Sequence, residues 1–86
     1  MRFQGAVIRE QGVTFAVVIV KSHVVGNSFE ADRTIDAFRP VFPGLPVVLM
    51  CQDSRGVPTY YGRRDISQFM ARVPLGCVRW KEYTAG

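Results

Sequence analysis

The stretch Val13-Thr14-Phe15-Ala16-Val17-Val18-Ile19-Val20 reads as a strand. β-Branched residues dominate it, and alternate side chains of a strand point to opposite faces, so Phe15, Val17 and Ile19 look one way while Ala16, Val18 and Val20 look the other. Both rows are apolar, and each face needs a cover. Upstream, Gly5 to Arg9 is a second strand-forming run. Glu10, Gln11 and Gly12 supply a short reversal, so a β-hairpin is expected, its second strand running from Val13 to about Val25.

Downstream, Asn27 and Glu30 have the spacing of a capping box, and Ala31, Ile35, Phe38 and Phe42 recur at helical intervals. The pattern predicts a helix over about residues 28–39, which Pro40 stops. After the break Pro43-Gly44-Leu45-Pro46, residues 47–52 read as a buried strand and Asp53 to Gly56 as a turn. Residues 57–61 form the return strand, and Pro58 near its start suits a sheet edge or a bulge. Asp65 then stands as the N-cap of a second helix over about residues 66–73, with Ile66, Phe69, Met70 and Val73 on its apolar side. Residues 78–83 alternate as a final strand, Val78, Trp80 and Glu82 opposing Arg79, Lys81 and Tyr83.

Laid over one another, the halves of the chain agree in three consecutive intervals: Ile35, Phe38, Pro43 and Val47 are spaced like Ile66, Phe69, Pro74 and Val78. The spacing suggests two ββα units and a closing strand. The order ββαββαβ predicts an α+β domain, with two helices on one face of a mostly antiparallel sheet of about five strands. One helical layer leaves the reverse of the sheet apolar. Val18 and Val20 are therefore expected to meet another subunit, in a homodimer or a higher homo-oligomer.

Eighty-six residues, 48% of them apolar, are enough for one core and too few for two, so residues 1–86 are read as a single small domain. The longest apolar run, Phe15 to Val20, is about a third of the ~20 residues that cross a bilayer as a helix. No membrane association is expected. The segment Met1-Arg2-Phe3-Gln4-Gly5 enters the strand pattern without the features of a secretory signal, which predicts a cytoplasmic protein. Cys51 and Cys77 are read as reduced thiols buried beside strands.

Nothing in the pattern calls for a cofactor or a metal: a single histidine and two isolated cysteines without CxxC spacing make a poor ligand set. His23 lacks a catalytic team, the carboxylates are scattered, and the glycines form no phosphate-binding loop. The chain does not read as an enzyme. Its net charge is +4, nine of its eleven cations are arginine, and residues 50–86 hold six of those cations against three acids. Arginine favours bidentate contacts to phosphate or carboxylate and stacks on aromatics. The segment from Arg55 to Asp65 concentrates both residue types, and Arg55, Tyr60, Tyr61, Arg63 and Arg64 are the candidate contacts for nucleic acid or an acidic protein.

The stretch from Leu45 and Pro46 through Val47 to Met50, the turn at Gly56, Tyr60-Tyr61-Gly62 and the second helix resembles the strand, strand and helix that close a thioredoxin-like fold. The resemblance covers under half the chain, and CxxC is absent. It implies an α/β alternative for the fold and, for function, a thiol protein with Cys51 as its reactive group. The leading expectation is a non-enzymatic binding or regulatory module that self-associates and takes an anionic partner. A purely structural oligomeric protein is the third reading.

Overall fold

The computed structural model describes residues 2–10 and 12–84. β1 (Arg2–Glu10) and β2 (Val13–Ile19) form the expected hairpin, with Gly5 opposite Val18 and Glu10 opposite Val13. Gln11, assigned to the reversal, lies outside the described residues; Gly12 beside it turns at φ 78°, a conformation that favours glycine. A one-turn helix α1 (Ser22–Val25) leads to α2 (Ser28–Phe38). β3 (Val47–Gln52) and β4 (Pro58–Tyr61) make a second hairpin, followed by α3 (Arg64–Met70), a 3-10 turn at Leu75–Cys77 and β5 (Lys81–Thr84).

The architecture is α+β, built on a five-stranded sheet in the order β4-β3-β2-β1-β5. The sheet is mixed, which corrects the expectation of a mostly antiparallel one: β2 and β3 run parallel, Ala16 opposite Val47 and Ile19 opposite Met50. The cause is the connection. Antiparallel neighbours can be joined by a tight turn, whereas β2 reaches β3 through α1 and α2, a crossover that brings the chain back in the same direction.

The placement of the helices corrects a second expectation. α1 and α2 cover the face bearing Phe3, Ala16, Val18, Val47 and Leu49, where Ala31, Phe38 and Phe42 complete the packing. α3 and the 3-10 turn lie on the reverse, where Ile66, Met70 and Val78 pack on Ala6, Phe15, Val17, Val48 and Met50. Val18 is 0% exposed beneath the α1–α2 layer, so it offers no surface to a second subunit. Val20 is half-buried and packs at the margin of the same cluster.

Several local expectations shift for identifiable reasons. The second strand stops at Ile19 instead of continuing to Val25; the Val20 N–H closes the ladder on Met50, and α1 folds Val24 and Val25 onto the core. The helix over 28–38 carries its expected cap, the Glu30 N–H donating to Asn27 Oδ1 at 3.2 Å. Past Pro40 the chain stays curled, with the Phe42 N–H directed at Phe38 and Arg39 carbonyls, and Phe42 is buried. The final strand starts at Lys81, because residues 75–77 form the 3-10 turn that seats Val78 in the core. The two halves share the order strand, strand, helix, yet their helices lie on opposite faces and Val78, unlike Val47, precedes its strand.

β4 is an edge strand, the position that tolerates Pro58. β5 closes the other side, Phe3 opposite Tyr83, with the two rings stacked at 5.3 Å. Gly5 sits where any Cβ would come within 2.8 Å of the Val17 carbonyl oxygen, so only glycine fits that approach. If both faces are core, truncations on either side carry similar penalties. Met70→Ala and Leu49→Ala are each expected to destabilise by about 2–5 kcal/mol in urea unfolding, and a near-neutral Met70→Ala would remove α3 from the core.

Candidate functional site

The five residues singled out from the sequence do not converge on one surface. Tyr60 and Tyr61 are consecutive in β4 and therefore face opposite sides of the sheet. Tyr60 packs into the α3 cluster, where its phenol oxygen is shut off from solvent with no hydrogen-bond partner among the described residues, and burial pushes its ionisation up. Tyr61 packs beside α2 and donates its hydroxyl proton to Asp32 Oδ1 at 2.9 Å. That hydrogen bond, with burial and the nearby negative charge as lesser contributors, holds the Tyr61 phenol above its ordinary range.

Arg63 is engaged locally. Its Nε and Nη2 donate to the two carboxylate oxygens of Asp65 at 2.9 and 3.0 Å, and this bidentate bond keeps the Asp65 carboxyl below the usual carboxylate range. The expectation that Asp65 caps the helix is corrected: the cap position belongs to Arg63, and Asp65 lies in the first turn of α3. Arg64 is exposed and makes no ion pair among the described residues.

The backbone at Arg55 is tied into its turn by hydrogen bonds. Asp53 Oδ1 accepts the N–H groups of Arg55 and Val57 at 2.8 and 2.9 Å, and Gln52 Nε2 donates to the Gly56 carbonyl at 3.1 Å. Gly56, at φ 81°, completes the turn. These bonds direct the Asp53 carboxylate to the backbone, and it forms no ion pair with the Arg55 guanidinium. Arg55 thus stands at one side of an open groove of about 470 Å³, whose lining also includes Arg72, just beyond α3. Val57, Pro58, Val73, Pro74 and Leu75 supply its apolar surface, and Val57 is 54% exposed.

Charge separates this groove from the larger depression beside α2. There Asp36 pairs with Arg39 at 3.3 Å, Asp32 accepts from Tyr61, and Arg63 is taken by Asp65, so each lining charge already has a local partner. Two arginines line the Arg55–Arg72 groove, and among the described residues no carboxylate side chain lines it. Arg72 was not among the candidates from the sequence. The signal that points to it is a repeated word: Arg55-Gly56-Val57-Pro58 and Arg72-Val73-Pro74 each place Val-Pro after an arginine, and the groove lies between them.

The thiols differ in setting. Cys51 is buried as expected, but Cys77 is exposed in the 3-10 turn, since Val78 takes the buried position next to it. Among the described residues no cluster of three potential metal ligands occurs, and no helix is long and apolar enough to cross a membrane. No protein-family model matches the chain, and no curated protein or solved structure shows significant similarity to it.

Two substitutions test the opposite environments of the tyrosines. Tyr60→Phe removes an unpartnered buried hydroxyl and is expected to raise the unfolding free energy by about 1 kcal/mol, seen as a higher urea midpoint. A lower midpoint would mean that the hydroxyl has a partner. For Tyr61 the folded ionisation lies above the unfolded one, so its stabilisation is present below the ordinary phenol range and is lost as pH rises through the raised value. Asp32→Ala is expected to move Tyr61 ionisation down in a titration of phenolate ultraviolet absorbance, and an unchanged curve would exclude the hydrogen bond as its cause.

Proposed function

We propose that the chain is a non-enzymatic binding module that takes an acidic segment of another protein in the Arg55–Arg72 groove. The observation that supports this is the pairing of two arginines, which form no ion pair among the described residues, with an exposed aliphatic surface. A carboxylate-bearing segment satisfies the arginines by charge-assisted hydrogen bonds, and an aliphatic side chain between its carboxylates covers Val57, Val73 and Leu75. Such complementarity contributes to specificity and to the rate of encounter.

Nucleic acid is the less suited partner. Single strands are held by aromatic rings stacked on bases along a cationic track, and both candidate tyrosines face inward from β4, away from that use. The groove lining is aliphatic and contains no aromatic ring. A reducing compartment such as the cytoplasm suits the exposed free thiol of Cys77.

A fluorescent peptide of alternating glutamate and leucine supplies the test, with its glutamine counterpart and a mixed-sequence DNA oligonucleotide as controls. Fluorescence anisotropy is expected to report binding of the acidic peptide alone, weakening as salt rises. Replacing Arg55 and Arg72 together with glutamine is expected to reduce affinity by about tenfold or more, while Arg2→Gln, away from the groove and paired with Glu82 at 3.7 Å, leaves it unchanged. Equal binding by the double variant would overturn the assignment, and tighter binding of DNA would transfer it to nucleic acid.

A further inference from the structure

A third open surface lies between α1 and α2, on the side of the sheet opposite α3. Its most prominent feature is Phe29, in the first turn of α2, which is 71% exposed. Arg33, one helical turn on, stands over the ring at 5.9 Å from its centre. Val20, Val24 and Ala37 add apolar lining to the same groove. A phenylalanine so placed gains from being covered, and the charges around it indicate by what.

Those charges are of both signs. Lys21 and Arg33 are cationic, whereas Glu30 is anionic and lies 3.8 Å from His23. A uniformly acidic partner would be repelled by Glu30, and a uniformly basic one by Lys21 and Arg33. A copy of the same surface turned through a two-fold axis presents the charges in reverse order. Glu30 and Arg33 are three residues apart on α2, so they lie close together on its surface. Two α2 helices laid antiparallel, with the axis midway between these residues, bring Glu30 of each copy against Arg33 of the other.

We propose that the α1–α2 face is the docking surface for a second copy of this chain, giving a symmetric dimer centred on Phe29 and the reciprocal Glu30–Arg33 pairs. Self-pairing is favoured here and disfavoured at the Arg55–Arg72 groove, where two-fold contact would oppose like charges. Because the surfaces lie on opposite sides of the sheet, dimerisation leaves both acidic-segment grooves open. The dimer therefore does not depend on the reading of that groove.

Sedimentation equilibrium across the micromolar range tests the proposal, with circular dichroism to show that each variant is folded. The wild-type chain of 9.7 kDa is expected to sediment at twice that mass, and Phe29→Asp at the monomer mass. Glu30→Arg opposes arginine to arginine across the axis, Arg33→Glu opposes glutamate to glutamate, and each is expected to raise the dimer Kd at least about tenfold. An equimolar mixture of these two variants places opposite charges at every reciprocal contact and is expected to recover the dimer. A monomeric wild type would overturn the proposal, as would a mixture that stays dissociated.

Discussion

The requirement to cover β2 on both sides organises the molecule. Phe15, Ala16, Val17 and Val18 are all at or below 2% exposure, and their side chains point alternately to the two faces. Each aliphatic or aromatic side chain fully buried is worth roughly 1.5–3 kcal/mol relative to exposure, so a single helical layer would forgo the benefit of one whole row. The chain meets the requirement in two passes. α1 and α2 cross over one face and bring β3 parallel to β2; α3 and the 3-10 turn cross over the other and deliver β5 to the far edge.

Cover on both sides also governs where the polar chemistry can sit. No polar or charged residue is fully buried among the described ones, so, apart from the enclosed Tyr60 phenol oxygen, ion pairs and hydrogen-bonding side chains lie at the rims of the layers. There the carboxylates have local tasks: Asp53 ties a turn, Asp65 orients Arg63, Asp32 holds Tyr61 and Asp36 pairs with Arg39. A chain with more cations than anions then leaves some guanidinium groups without neutralisation. Arg55 and Arg72 are distinguished by sharing an aliphatic groove that, among the described residues, no carboxylate side chain lines.

Much of the fold was legible because the signals were local. The Asn27 cap, the 47–52 strand, the edge position of Pro58 and the helical stripe ending at Phe42 each rest on a few neighbouring residues. The side of the sheet taken by each helix is a tertiary outcome, and the spacing shared by Ile35-Phe38 and Ile66-Phe69 is equally compatible with one layer or two. The double-sided apolarity of β2 was the sign of a central strand with helices on either side. Of the candidate site, Arg55 was found from composition; Arg63, Tyr60 and Tyr61 were separated by strand alternation and by Asp65, which composition does not weigh. Arg72 stayed hidden because the groove joins segments distant in sequence.

The register that sets Arg2 opposite Thr84 has a consequence for synthesis. A ribosome delivers β1 before β5, so the outer edge of β1 waits for all the intervening elements before it gains its neighbour, and Phe3 waits with it for the ring of Tyr83. During that interval the nascent hairpin exposes unsatisfied main-chain groups beside an aromatic side chain, the condition under which strands recruit the wrong neighbours. The β1 edge is completed only once β5 has emerged, and its most vulnerable moment comes before that strand leaves the exit tunnel.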